Sequence, residues 1–486
     1  MAYRNWKGEL EDTRPDKQSN MPFIIRLVAV GVTLMVLTAV ALWGYPGYLL
    51  PKKWVRPGPA PDNIAILFSS DIQGYYEPCG CTEILKGGIA RASGYISTID
   101  KPKTRILVDL GNMTAGPQKW QQIGLRTYLE ALGKMKYSAV NIGANELTLP
   151  AADLQNIIKT SPVEFISANV QTKDGTPLAK PYRQLFVNNL RITLVGVFQQ
   201  HGEDELNKQF KISDINQTLS NLLPSLRKNT DVIVLLAACD DAKIQEIANS
   251  HPEIDIILGG RVQQASRQIK QIGDCWVASH ADKGNLIGLV NVDITDDGVV
   301  AKSTSHMQVL EESQGAPVDK RFAQMVEDYN AELARLNREE GLKAWGIPIR
   351  PAPADAGKYV GSATCMGCHP KAYAVWKKSD HAKAYSSLVR RKRASNPGCV
   401  KCHVLDLGAA DGFVGLTRSP GRINVQCESC HGRGSAHVAA RSQGLSKDIG
   451  KFTPVMENSC VICHDCKHSP EFEFNKYWEP IKHGKE

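Results

Sequence analysis

The chain lacks the compositional biases that would settle its class at once. Of its 486 residues, 22% are charged, 42% hydrophobic and 7% aromatic, ordinary proportions for a globular protein with room for an ample core. Histidine is scarce, at 12 residues. Net charge is missing from most of the chain. There are 58 Lys and Arg against 50 Asp and Glu, and 20 and 11 of these fall in residues 357–486. Residues 1–356 therefore hold 38 against 39, and the whole basic excess is C-terminal. One stretch has no charge at all. Leu27 to Tyr48, LVAVGVTLMVLTAVALWGYPGY, is 22 residues long, and at about 1.5 Å per residue a helix of that length spans the hydrocarbon core of a bilayer. Trp43, Tyr45 and Tyr48 stand at its outer end, where aromatic belts form. Ala39-Val-Ala41 has the form of a signal-peptidase site, but the flank before the segment is longer than a signal peptide's.

Cysteine is the residue the chain does not lack. Eight of its 13 fall in four copies of Cys-x-x-Cys-His: Cys365-Met-Gly-Cys368-His369, Cys399-Val-Lys-Cys402-His403, Cys427-Glu-Ser-Cys430-His431 and Cys460-Val-Ile-Cys463-His464. Two thiols at this spacing can add to the two vinyl groups of one macrocycle, and the next His is then pinned beneath the iron. Zinc sites use Cys-x-x-Cys pairs too, but have no need of a His after every second Cys. The reading is four covalent c-type haems with His369, His403, His431 and His464 as proximal ligands. Four further histidines, His381, His437, His468 and His483, offer distal ligands in the same region. His468 follows His464 by four residues, so on a helix it shares that residue's face and cannot reach across the same haem.

Bacterial c-type haems are assembled outside the cytoplasm. With five Lys and Arg before the apolar segment and three shortly after it, residues 1–26 are expected to form a cytoplasmic tail. Residues 27–48 would be a single-pass anchor in the bacterial cytoplasmic membrane, 49–62 a Pro-rich stalk, and the bulk would lie on the periplasmic face. Next come apolar runs ending in polar residues: Ile64–Ser69, Thr104–Asp109, Tyr137–Asn141, Ile192–Phe198, Asp231–Ala237 and Ile254–Leu258. Helical patterns such as Trp120–Met135 and Ile215–Leu223 lie between them. Alternating strands and helices predict a layered α/β domain over 63–310, with any ligand gathered at the strands' carboxyl edge.

Those strand ends resemble the metal-dependent 5′-nucleotidase and phosphoesterase family, which implies an α/β sandwich. The family's Asp-x-His, Gly-Asp, Gly-Asn-His-Glu, strand-end His and Gly-His-x-His stand here as Asp71-Ile-Gln73, Gly111-Asn112, Gly143-Ala144-Asn145-Glu146, Ala237 and Gly260-Arg261-Val-Gln263. Only Asp71 survives among the metal ligands, so the domain is expected to be a retired scaffold rather than a phosphatase. Cys79 and Cys81 in the first loop, with Cys239 after a later strand, are candidates for a thiol relay or soft-metal site at the old metal position, or for a plain structural disulfide and a spare thiol. Cys275, in the strand-like CWVAS, reads as core.

Residues 311–356 form a connector. Asp319–Leu342 reads as one helix with Phe322, Met325, Val326, Tyr329, Leu333 and Leu336 on a shared stripe, and the Pro-rich stretch from Ile347 marks a hinge or boundary. Residues 357–486 resemble the tetrahaem cytochrome family of ammonia oxidisers, a mainly helical fold. The resemblance is carried by Tyr359-Val-Gly-Ser, Trp376-x-x-Ser-x-His381-Ala, Cys430-His-Gly-Arg-Gly-Ser-x-His437 and Tyr477-Trp-x-x-Ile-x-His483-Gly-Lys. It implies that His381 serves the haem of His464, His437 that of His369 and His483 that of His431, leaving the haem of His403 open unless His468 closes it.

The expected architecture is thus multidomain, and the expected function is electron relay between other redox proteins, within a membrane-associated respiratory complex. The alternative is an oxidoreductase acting on a small nitrogen or sulfur compound at an open haem iron. Haem propionates account for most of the basic excess, and the run Arg390–Arg393 is expected to steer an acidic redox partner. Nucleic acid is not an expected partner.

Overall fold

The computed structural model describes residues 63–486, apart from 79–84, 100–103, 203–205, 296–299, 312–313, 466–468, 485–486 and a few single positions, together with residues 3–4 and 10–11. The N-terminal unit, 1–52, contributes an antiparallel pairing of Tyr3–Arg4 with Leu10–Glu11. The tail, the anchor segment 27–48 and the stalk otherwise lie outside the described residues. Among the described residues, no helix is long and apolar enough to cross a membrane.

The α/β domain is built from two six-stranded sheets packed face to face. The first runs Val300–Val309, Leu286–Ile294, Asn63–Ser69, Arg105–Asp109, Ala139–Asn141, Phe165–Ile166. The second runs Lys270–Ile272, Cys275–Ser279, Ile256–Gly260, Val232–Ala238, Leu190–Phe198, Tyr182–Val187. The first is parallel from Asn63–Ser69 to Phe165–Ile166 and antiparallel only at its other margin, while the second has a parallel centre and antiparallel margins. The parallel strands are apolar on both faces because both are covered. Ile64, Ile66, Phe68, Ile106 and Val108 meet Ile192, Leu194, Val234 and Leu258 between the sheets. Helices Ile89–Thr98 and Lys119–Met135 cover the outside of the first sheet, and Ile215–Arg227 and Asp241–Ser250 cover the second. Cys275 is buried in that outer layer, as its strand context predicts.

The connector helix is Lys320–Glu340. Asp319 caps it through the Arg321 N–H, and Gly341 ends it at φ 65°, a conformation that favours glycine. Its apolar stripe packs on the two helices of the first sheet. Beyond it, Trp345 is buried with Leu336, Leu342 and Val414 against Trp120 and Ile123. The stretch read as a hinge or boundary is fastened to the C-terminal domain. The Arg350 N–H donates to Gly408 O at 2.8 Å, Ala410 N–H donates to Arg350 O at 2.9 Å, and the Arg350 guanidinium meets Asp406 at 2.6 Å.

The C-terminal domain is made of short helices, the longest described being the nine residues Pro370–Lys378. Its own apolar cluster is small, comprising Tyr385, Leu388, Val400, Val404 and Phe413. Polar side chains hold the loops. The Glu428 carboxylate, buried between two motif cysteines, accepts N–H groups from Val360 at 2.9 Å, Gly361 at 2.7 Å and Gly434 at 2.8 Å. Arg433 lies over the Tyr359 ring and pairs with Asp411 at 3.0 Å.

Candidate functional site

Each Cys-x-x-Cys-His motif sits on or beside a single helical turn: Ser362–Cys365, Pro397–His403, Cys427–His431 and Glu457–Val461. A turn places the two thiols and the imidazole on one side of the backbone. Three motif histidines face a histidine from elsewhere in the domain. The ring centres are 6.1 Å apart for His369 and His437, 6.1 Å for His464 and His381, and 5.9 Å for His431 and His483. Two metal–nitrogen bonds of about 2 Å, plus roughly 1.1 Å from each nitrogen to its ring centre, would set trans imidazoles about 6 Å apart. The three pairs are those the family resemblance implies.

The imidazoles are also held by their other nitrogen. His403 Nδ1–H donates to Ala384 O at 2.7 Å, His483 Nδ1–H donates to Ile481 O at 3.0 Å, and His464 Nδ1 is bonded to the Ser469 hydroxyl at 2.9 Å. Such bonds fix the ring and leave Nε2 for a metal, so the donor set fits haem iron. His468 lies outside the described residues.

The motifs also fall in an order that the sequence does not show. Cys365 lies against Cys427 and Cys463 against Cys402, and Cys460 is within electrostatic reach of Cys430. Phe452 touches both His431 and His437, at ring distances of 5.7 and 4.8 Å. The series therefore runs His369, His431, His464, His403, with His369 and His403 at its ends. Three supporting residues were not read from the sequence. Phe472 stacks on His464 at 5.2 Å. Glu428 ties the first motif to the third. Gly450, at φ 66°, lies so close to His437 that a Cβ would come within 2.6 Å of its backbone nitrogen.

The second concave site is the carboxyl edge of the α/β domain. A cavity of about 720 Å³ is lined by Asp71, Gln73, Asn112, Ala144, Asn145 and Arg261, among others. Asp71, Gln73, Asn112 and Arg261 all have positive φ, between 48° and 62°, so the loops keep a costly geometry of about 1–3 kcal/mol per residue. The donors, however, do not fit a pair of divalent metals. Both Asp71 oxygens accept from Gln73 Nε2 at 3.0 Å, and Asn112 Oδ1 accepts the Asn145 N–H at 3.0 Å. Among the described residues, no three His, Cys, Asp or Glu side chains are grouped to hold a metal.

Glu146 is turned inward and buried, accepting N–H groups from Asn112, Met113, Thr114 and Gly143 at 2.7–3.0 Å. Beneath the edge, buried Asp109 accepts from Ser69 Oγ, Tyr128 Oη and Gly111 N. Burial pushes its carboxyl up to about 7, partly offset by those donors. Burial holds His280 down to about 4.

The thiol expectation fails for Cys239. Ala237 and Cys239 both face the helices of the second sheet, and burial, then Asp240, pushes the Cys239 thiol up to about 12. A protonated thiol packed among Ile215, Ile244 and Ile247 is core, not a ligand at the cavity. Cys79 and Cys81 lie outside the described residues. The expectation for Arg390–Arg393 also changes. Arg393 pairs with Glu77 at 2.8 Å and Lys392 with Glu327 at 3.1 Å, so half of the run meets acids of this same chain.

The model of the family described as cytochrome c554 and c-prime matches residues 364–432. The C-terminal region is cytochrome c554-like. Cytochrome c-554 of Nitrosomonas europaea is 34% identical over 139 residues, covering 23% of this chain and 59% of the relative. An uncharacterised metallophosphoesterase of Bacillus subtilis is 24% identical over 200 residues, covering 40% of this chain and 43% of the relative. The chain thus spans less than two thirds of either relative. The solved NAD nucleotidase of Haemophilus influenzae shares 16% identity with a TM-score of 0.52, over 62% of this chain and 64% of that one. The architecture is a metallophosphoesterase-like α/β domain joined to a cytochrome c554-like domain.

Proposed function

We propose that this chain is a tetrahaem relay, with haem thioether bonds to Cys365 and Cys368, Cys399 and Cys402, Cys427 and Cys430, and Cys460 and Cys463. His369, His403, His431 and His464 are the proximal ligands, and His437, His483 and His381 are the distal partners of His369, His431 and His464. The observation that carries the reading is the set of three imidazole pairs at 5.9–6.1 Å, each joining a motif to a distant histidine. Bound haem supplies a one-electron couple, and its potential follows the ligands and their surroundings. The chain's residues do the rest. Ala384 O, Ile481 O and Ser469 Oγ orient imidazoles, Phe452 and Phe472 pack against them, and the motif turns set the neighbours in series. The α/β domain is proposed to be a retired phosphoesterase scaffold. Residues 27–48 are proposed to anchor the chain in the bacterial cytoplasmic membrane, with the bulk on the periplasmic face and other redox proteins as donor and acceptor.

The test is the intact mass of the protein from a host that matures c-type cytochromes, with haem staining after denaturing electrophoresis. The expected result is the polypeptide plus four haems. Bound zinc with no haem-stained band would overturn the reading.

A further inference from the structure

The cavity at the carboxyl edge of the α/β domain has the size and the rigid floor of a ligand site. Its volume of about 720 Å³ lies in the range of roughly 300–1,000 Å³ usual for small-molecule sites, well beyond what an inorganic ion fills. The floor is fixed by backbone bonds between loops. Asp71 N–H donates to Gly111 O at 3.0 Å, Gln73 N–H to Asn112 O at 2.8 Å and Gly74 N–H to Met113 O at 2.8 Å. From beneath, the buried Glu146 carboxylate gathers the N–H groups of Asn112, Met113 and Thr114. Asp71, Gln73, Asn112 and Arg261 all hold positive φ on this edge, and strained backbone of that kind clusters at ligand clamps.

Charge then decides what the cavity can take. It is lined by one carboxylate, Asp71, and one guanidinium, Arg261, and otherwise by amides, a hydroxyl and apolar groups. Asp71 is 8% exposed; Gln73 Nε2 reaches both its oxygens, yet a carboxylate has lone pairs to spare. Arg261 is steadied by its Nη1–H, which donates to Gln199 O at 2.8 Å, and by the Phe198 ring, whose centre is 5.5 Å away. Asn112 is 5% exposed. Its Oδ1 accepts the Asn145 N–H, and among the described residues its Nδ2 has no acceptor. A buried donor without a partner is costly unless a ligand supplies the acceptor. The two charges are set close together, because Ser70 and Gly260, the residues before Asp71 and Arg261, are in contact: a Cβ on Gly260 would run into Ser70 Oγ. A phosphate dianion would meet Asp71 with no metal between them, and a simple anion or cation leaves one of the two charges unmatched. A small molecule carrying both an ammonium and a carboxylate matches both.

We propose that this cavity binds a free α-amino acid as its zwitterion. The ammonium pairs with Asp71, the carboxylate with Arg261 and Asn112 Nδ2, and the side chain lies against Leu206 and Val262. The proposal rests on the reading of this domain as a phosphoesterase scaffold without catalytic metals, and gives that scaffold a ligand.

The test is titration calorimetry of the full-length protein with each proteinogenic amino acid in turn. At least one should bind, with a single site per chain. Its amide, which lacks the carboxylate, and its N-acetyl derivative, which lacks the ammonium, should each bind about tenfold more weakly or worse. Arg261→Gln should weaken the parent amino acid about tenfold and leave the amide within about twofold of its wild-type affinity. Asp71→Asn should do the same with the N-acetyl derivative in place of the amide. The blocked derivatives carry the test even where a variant fails to fold. The proposal is overturned if no amino acid binds, if the blocked derivatives bind as well as the parent, or if inorganic phosphate or adenosine 5′-monophosphate binds more tightly. An assay of phosphate release from adenosine 5′-monophosphate with added manganese or zinc separates the two readings. Release would sink the scaffold reading itself. With no release and no amino-acid binding, the scaffold reading stands and only the ligand proposal has failed.

Discussion

At the scale of single residues, environment decides chemistry more than residue type does. Asp109 and His280 are both fully buried, yet their protonation works in opposite senses on stability. The Asp109 carboxyl, held up to about 7 in the folded protein, stays protonated there while the unfolded chain releases its proton near pH 4. Its contribution to stability is therefore present below about pH 4 and lost as pH rises toward 7, by up to roughly 4 kcal/mol. His280, held down to about 4, does the reverse: its contribution is present above about pH 6.5 and lost as pH falls toward 4. The two slopes partly cancel in the wild type. Asp109→Asn should unmask the histidine, so that the stability of the variant relative to wild type rises between pH 4 and 7. Denaturant unfolding of both proteins across that range, followed by tryptophan fluorescence, reads this directly, and parallel pH curves would disprove it. His437 allows an equally local test. His437→Ala should convert one haem to high spin, and added imidazole should return it to low spin. An unchanged spectrum would remove His437 from the ligand set.

At the scale of elements, short helices owe their positions to contacts outside themselves. The helix Ser435–Ser442 carries His437, and Gly450 packs against its backbone with a positive φ. Gly450→Ala adds both strain and a clash, so it should reproduce part of the His437→Ala spectrum without touching a ligand. A fully low-spin variant would show that the helix yields without moving the imidazole. Glu428, in the five-residue helix Cys427–His431, gathers backbone N–H groups from Val360, Gly361 and Gly434. Glu428→Gln replaces an acceptor oxygen with an N–H donor facing those donors, and should cost about 2–4 kcal/mol. The expected sign is earlier thermal loss of the low-spin spectrum. The longer elements needed less help. Most expected strands match the observed ones to within two residues at either end, as Ile64–Ser69 does Asn63–Ser69, because strands buried on both faces are continuous apolar runs. Tyr182–Val187 and Val300–Val309 were not legible in that way, since half-exposed marginal strands mix polar and apolar residues.

At the scale of the whole molecule, a metallophosphoesterase-like α/β domain and a cytochrome c554-like domain share one chain, and among the described residues the cavity of the first holds no grouped set of metal donors. With Asp71 bound up by Gln73, and with Ala144 and Ala237 in place of histidines, the α/β domain should release no phosphate from nucleotides at any concentration of manganese, zinc or magnesium. Metal-stimulated phosphate release from a nucleotide by the purified protein would contradict this. The cavity nevertheless keeps its strained loops, and one of them runs from Asp71 through Gln73 to Glu77, the residue that clamps Arg393. The cavity edge and the contact that holds the second motif's segment are thus parts of the same loop. The basic run Arg390–Arg393 looked like a site for a foreign acidic partner because charge is visible in a sequence. Its acids are not: Glu77 is 316 residues from Arg393 along the chain.

What the sequence determined by itself is the chemistry that closes over a few residues. A pair of thiols and the next histidine attach and ligate within five positions, and apolar runs become strands wherever they are covered, so both can be read without knowing the fold. The tertiary structure decided what depends on direction and distance between remote segments. It turned Cys239 toward the helices rather than the cavity and set the four motifs in the order His369, His431, His464, His403. It also seated the α/β domain at one end of that series. Those outcomes rest on side-chain orientation and on contacts across tens to hundreds of residues, which local spacing and composition do not encode.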